Sequence, residues 1–371
     1  MQHLRNIHQV KLQLSPGINL FYGENGSGKT SLLEAISLLG LGRSFRSHKT
    51  RSLIHHQQSQ LTTFAEIDTG AVTLAVGVQK DRSGETLIRI NQETAPSAAE
   101  LARQLPLQII NADSFQLIEG SPLQRRQFLD WLVFHVKPEF FDTWRRLQRV
   151  IKQRNSLLRH DKLTRFDLAS WDTEYVRLAE AVHQMRVDVF SQFLAVFEQL
   201  VSDQDLATVL TNVNLEYQRG WSEAQTLLEV LSADFDRDHR DGYTHHGPHR
   251  ADIRIKTAGH VAADVLSRGQ EKLLVCALHL AQAQLYAAAN GQSCTFLVDD
   301  LLAELDQDHA IKLASWLLRL NCQVFVTGVN RDQLLTVWQQ LADKADNSLI
   351  FSVFHVEQGQ VYPDQNPKMN D

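Results

Sequence analysis

Cysteine is scarce in this 371-residue chain: Cys276, Cys294 and Cys322 are all it has, and no two stand in a CxxC spacing. That excludes a disulfide framework and a cysteine zinc site, and makes a reducing cytoplasm the expected location. Long apolar runs are lacking too. Leu273 to Ala289 is broken by His279, Gln282 and Gln284, short of the ~20 apolar residues that cross a bilayer. It is expected as a buried helix, with no membrane role. No apolar core with a cleavage site follows Met1, so no secretory signal is expected. Nor is there an excess of basic charge: the net charge is −6. This argues against a blanket polycation and leaves room for a local basic face.

Helix breakers are absent where it matters. No glycine occurs from Ser121 to Arg219, and no proline from Glu139 to Gly247. Each would cost a helix interior about 1 or 3 kcal/mol, so this span is expected to be long helices. Trp171, Tyr175, Leu178, Val182, Met185, Val189, Phe193, Val196 and Leu200 recur at steps of three and four, a stripe suited to helix–helix packing. Prolines at 122 and 138 suit first helical positions.

What is present on either side is different. Residues 8–22, 61–91 and 105–111 carry short β-type runs. After Gly242, strands alternate with helices: strand 251–256, helix 270–289, strand 295–298, helix 309–320 and strand 323–327. Such alternation predicts an α/β sheet with crossover helices. The expected architecture is an α/β head built from both chain ends, 1–120 and 242–365, with a mainly helical arm inserted at 121–241. The polar tail from Tyr362 is expected to fray.

The chemistry concentrates in three motifs. Gly23-Glu24-Asn25-Gly26-Ser27-Gly28-Lys29-Thr30 fits G-x-x-x-x-G-K-[ST], entered by the apolar run Ile18 to Tyr22 and followed by a helical pattern. Its glycines let successive backbone N–H groups face phosphates. Lys29 is suited to the β- and γ-phosphates of ATP, and the Thr30 hydroxyl to Mg²⁺. Thr295-Phe-Leu-Val298 delivers Asp299 and Asp300 to a strand end. Asp299 is read as holding the metal through water and Asp300 as polarising the attacking water, with Lys29 sharing the catalytic role. Ser267-Arg268-Gly269-Gln270 opens a long apolar helix thirty residues before Asp299. By itself it could be an N-cap and turn; ahead of such a strand it is read as a γ-phosphate site.

Together with Ala303-Glu304-Leu305-Asp306, these motifs resemble the ABC-type P-loop ATPase heads of the SMC family. More closely, over nearly the whole chain, they are similar to the RecF family of bacterial DNA replication and repair proteins. Gly42-Arg-Ser-Phe-Arg46, Gly120 to Trp131 and Gly247-Pro-His-Arg250 carry that closer likeness. The resemblance implies a weak, DNA-dependent ATPase that dimerises head to tail on ATP. Each nucleotide would lie between one copy's loop 23–30 and the other's signature 267–270, with Asp306 at the interface. It implies binding of single-stranded, gapped or junction DNA, cooperation with RecR and RecO, loading of RecA and support of the SOS response. It also implies a nucleotide contact by Arg5. Family members usually have a longer first strand before Leu4-Arg5-Asn6, so either that strand is short here or the start lies elsewhere.

For DNA, two basic features compete. From Ser121 to Arg165 there are 11 Lys+Arg and 4 Asp+Glu, and Arg145, Arg149, Lys152 and Arg159 are expected to share one helical side. Arg43 and Arg46 on the head form the other candidate. A solvated helix face remains the bland reading of the arm residues. The alternative function is a cytoplasmic ATPase subunit of an ABC transporter, disfavoured by the Gly120 to Trp131 segment and by Thr327 where a switch histidine is common.

Overall fold

Alternating and continuous apolar runs at the N-terminal end form the expected strands. The computed structural model describes residues 1–364 apart from 48, 71, 203–209, 211, 301–306 and 343–350. Strands β1 (Gln2–Leu4) and β2 (Ile7–Gln9) form a hairpin, and β3 (Ile18–Tyr22) leads through the glycine loop into α1 (Lys29–Leu41). The chain continues through α2 (Thr50–Leu53), the meander β4 (Gln60–Asp68), β5 (Thr73–Asp81), β6 (Thr86–Ile90) and β7 (Glu93–Thr94), then α3 (Ala98–Gln104) and β8 (Leu107–Ile110).

Next come α4 (Gln116–Glu119), α5 (Pro122–Val136), α6 (Phe140–Leu157) and α7 (Arg165–Ser202). They are followed by β9 (Val213–Gln218), α8 (Leu227–Ala233), α9 (Phe235–Asp241), β10 (Asp252–Thr257), β11 (His260–Val261), α10 (Ala262–Val265) and α11 (Arg268–Asn290). The chain then runs through β12 (Thr295–Val298), α12 (Gln307–Arg319), β13 (Val324–Gly328), α13 (Arg331–Ala342), β14 (Phe351–Glu357) and β15 (Gln360–Pro363). Among the described residues no helix is long and apolar enough to cross a membrane.

The chain packs as two units, 1–114 with 291–371, and 115–290. In the first, a sheet in the order β15-β14-β3-β13-β12-β8 is parallel except for β15. Phe21 on β3 stacks on Phe325 and Phe354 of the strands either side. An antiparallel sheet, β2-β1-β4-β5-β6-β7, belongs to the same unit. The parallel order places β13 between the glycine-loop strand and β12.

The second unit differs from the expected division, because residues 242–290 pack within it. Strand β10 pairs antiparallel with β9 and β11 rather than joining the parallel sheet, and α11 packs on α7 and α5. Helix α7 is longer than the stripe suggested. Tyr175, Leu178, Val182, Met185, Val189 and Phe193 are buried, but Trp171 at its start is 36% exposed, and beyond Phe193 burial passes to Phe197. A 3.6-residue turn drifts against a fixed three–four rhythm, so the buried face moves around the helix. Tyr362, expected in a frayed tail, is paired with His355 in the β14–β15 hairpin.

Candidate nucleotide site

Loop 23–28 wraps tightly because glycine stands where a side chain would collide. Gly23 has φ 155° and Gly28 φ 121°. A Cβ on Gly23 would fall 2.1 Å from the Val356 carbonyl oxygen, and one on Gly28 3.2 Å from Asn6 Oδ1. Lys29 opens α1 and is 4% exposed. Its Nζ turns back and donates to the Gly23 and Glu24 carbonyls at 2.8 and 3.0 Å, so the ammonium lies within the curve of the loop. Ser27 Oγ is buried there, and among the described residues it has no hydrogen-bond partner.

The strand order brings the other motif to this loop. The Thr30 hydroxyl donates to Asp299 Oδ1 at 3.1 Å. Thr327, at the end of intervening β13, donates to the same oxygen at 2.8 Å and accepts from the Asp300 N–H at 2.9 Å. Three elements thus meet at one carboxylate oxygen. Asp300 stands at φ 53°, a left-handed conformation uncommon outside glycine and held here by its bond to Thr327. Burial pushes the Asp299 carboxyl up and adjacent Asp300 adds to this; the Thr327 and Thr30 hydroxyls and the charge of Arg46 act the other way. Arg46 is exposed, and its charge is felt at this site. Arg43, three residues earlier, is exposed as well.

Arg5 is placed on Glu34, not on the loop. Its guanidinium donates to both Glu34 oxygens at 2.9 and 2.7 Å and to the Ser52 carbonyl at 3.0 Å. Glu34, almost wholly buried, also accepts from the Ser44 hydroxyl at 2.6 Å. The loop contact goes instead to Asn6, whose Nδ2 donates to the Gly26 and Ser27 carbonyls at 3.2 and 3.1 Å. Gly359 N–H binds the Ser27 carbonyl as well, at 2.8 Å. Sequence reading missed Asn6 as a site residue, and took Thr327 only as the place of an absent switch histidine, not as a partner of Asp299. Asn6 had one local signal, its place beside Arg5. Asp306 lies outside the described residues.

In the second unit, the signature forms a reciprocal cap on α11. Ser267 N–H donates to Gln270 Oε1 at 2.9 Å, and Gln270 N–H to Ser267 Oγ at 3.4 Å. Among the described residues, and apart from its chain neighbours and the helix's own backbone, no atom lies within 4 Å of where a Gly269 Cβ would be. On the arm, the basic excess divides by partner. Arg125, Lys137, Arg146, Arg154 and Arg165 form ion pairs with carboxylates of the same unit, Arg154 being fully buried against Asp238 and Asp172. Arg145, Arg149 and Lys152 are exposed along α6, and no ion pair is seen for them among the described residues. The neighbouring aromatics serve packing: Phe140 is buried, and Phe134 meets Phe141 edge-on. His245, His246 and His249 bind Asp238, Asp234 and the Thr244 carbonyl around a turn.

A parallel sheet with a glycine loop after one strand and an Asp-Asp pair at the end of another defines the class of ABC-type P-loop ATPase heads. The family described as RecF/RecN/SMC N terminal domain matches residues 1–349. The chain is 48% identical to the DNA replication and repair protein RecF of Cellvibrio japonicus over 362 residues, covering 97% of each. It is 46% identical to RecF of Pseudomonas aeruginosa over 359 residues, covering 96% of this chain and 95% of that one. This chain belongs to the RecF family of DNA replication and repair proteins. That membership favours repair over the transporter alternative.

Among solved structures, the recombination mediator protein RecF with ATP in the RecFOR pathway aligns with TM-score 0.82 at 22% identity, covering 98% of this chain and 95% of that one. An SMC head bound to the C-terminal winged-helix domain of ScpA aligns at 0.55 and 14%, covering 98% and 94%. Both likenesses bear on the fold, and both agree with an ABC/SMC-type head.

Proposed function

We propose that this chain is an ATP-gated DNA clamp of replication and recombinational repair, working in the cytoplasm as a slow ATPase. The observation that carries this is the meeting of Thr30, Thr327 and Asp299 beside Asp300 and the buried Lys29. The Ser27 hydroxyl, without a hydrogen-bond partner among the described residues, and the curled ammonium fit an anionic phosphate chain. The Thr30 hydroxyl and Asp299 carboxylate are hard oxygen donors that would hold Mg²⁺, which supplies counter-charge to phosphate oxygens. Lys29 exchanges its two carbonyl bonds for the phosphates, while Asp300 orients water and takes its proton. Asn6 keeps the loop in shape from behind. Two copies close head to tail, each presenting its Ser267–Gln270 turn to the other's nucleotide. Closure doubles the exposed stripe of Arg145, Arg149 and Lys152, which meets the DNA backbone. RecR and RecO are the partners this reading brings, with RecA downstream.

Binding to gapped against uniform duplex, with and without ATP across a salt series, tests the clamp. Tighter ATP-dependent binding to gapped DNA is expected. Exchange of Arg149 for Gln should lower the salt slope by about 0.9 if it meets one phosphate. Salt-insensitive, ATP-independent binding would overturn the reading. Asn6→Ala should weaken ATP binding about three- to ten-fold, as one or two neutral hydrogen bonds behind the loop are lost; a nucleotide titration that matches wild type removes Asn6 from this role.

A further inference from the structure

The signature arginine is held by acids of its own unit. Arg268 Nη1 donates to Glu119 and, at 3.2 Å, to Glu271. The Arg268 side chain is otherwise 72% exposed, while Glu271 is 4% exposed and sits one turn along α11. Glu119 ends α4, far away in sequence. The Ser267–Gln270 cap fixes the backbone on both sides of Arg268, and the space over Gly269 is open. So the turn presents an uncrowded face at Gly269, with the Arg268 guanidinium drawn onto carboxylates. Burial and the nearby Glu119 push the Glu271 carboxyl up, and Arg268 opposes them.

We infer that Glu119 is a positioning residue that withholds Arg268 from the phosphate of a partner copy's nucleotide, so that the two anions compete for one guanidinium. The inference rests on the head-to-tail clamp proposed above. An exposed ion pair is weak, because water screens it and both side chains lose freedom. Charge-assisted bonds to phosphate are stronger. The acid grip therefore gives way to a nucleotide, yet sets how much nucleotide closure requires. A plain strut between α4 and α11 would predict something else: loss of Glu119 would loosen the turn and weaken closure.

The test is an ATP titration of dimer formation by sedimentation velocity, on full-length wild type, Glu119→Gln, Glu119→Asp, Arg268→Ala and the Gln/Ala double variant. Glu119→Gln should lower the ATP needed for half-maximal dimer about three- to five-fold. Its nucleotide affinity as a monomer, read with a fluorescent ATP analogue at low protein concentration, should not change. Glu119→Asp should restore wild-type behaviour, and in the Arg268→Ala background the Gln exchange should have no effect. A wild-type dimer with no shift in Glu119→Gln, weaker closure, or a shift that persists without Arg268 overturns the latch alone. A wild-type chain that stays monomeric at saturating ATP overturns the clamp, and the latch with it.

Discussion

Lys29→Ala should abolish ATP-dependent dimerisation, leaving a folded monomer at nucleotide concentrations that close the wild-type pair. Lys29 is almost wholly buried, and its ammonium is already bonded to two loop carbonyls inside the curve of residues 23–28. A phosphate chain there would receive that full charge at short range, away from bulk water. Hydrogen bonds to charged groups are worth about 1.5–3 kcal/mol each. Losing two weakens nucleotide binding on the order of 100-fold or more. In the proposed clamp closure depends on bound nucleotide, so the dimer goes with it. Misfolding is a weak rival explanation: the Asn6 and Gly359 bonds to the loop do not involve Lys29, and a melting curve close to wild type would confirm this. Lys29→Arg keeps the charge but presents a planar fork, so it should recover little. Sedimentation with saturating ATP decides; a Lys29→Ala chain that still dimerises sinks the mechanism.

How much of this site was legible in the sequence depends on whether the contact is local. Loop 23–30 could be read because glycine conformations, Lys29 and Thr30 follow one another along the chain. Asp299 and Asp300 could be read because an apolar run ends on them. The bond from Thr327 to Asp299 could not: it forms only because β13 lies between β3 and β12, and strand order leaves no periodic trace. Asn6 crosses twenty residues to Gly26 for the same reason.

The basic arm shows the opposite error. Counting charges treated Arg154 like Arg149, yet one is buried in an ion-pair network and the other faces solvent. Side-chain spacing could have separated them: Arg154 lies on the buried side of α6 with Leu147, Val150 and Ile151. The packing of residues 242–290 with the arm was illegible for a similar reason. Strand 251–256 was found, but the choice of β9 and β11 as partners was not in its pattern.

Asp300→Asn should cut ATP turnover by about 100-fold or more while leaving nucleotide binding and closure intact, so that closed dimers accumulate on DNA. The argument starts from the backbone. At φ 53°, position 300 is one that few side chains accept, and asparagine is among them. The bond from its N–H to the Thr327 hydroxyl is made by the main chain and survives the exchange. Shape and position are therefore kept, and what is lost is a group able to take a proton from water, worth roughly 10²–10⁴ in rate. The exchange also removes the negative charge that helps push the Asp299 carboxyl up. Asp299 should then ionise at lower pH, and nucleotide should bind no more weakly than before. Binding held while turnover falls is what separates loss of the base from general damage. Single-turnover hydrolysis alongside sedimentation on gapped DNA measures both, and undiminished turnover would remove Asp300 as the base.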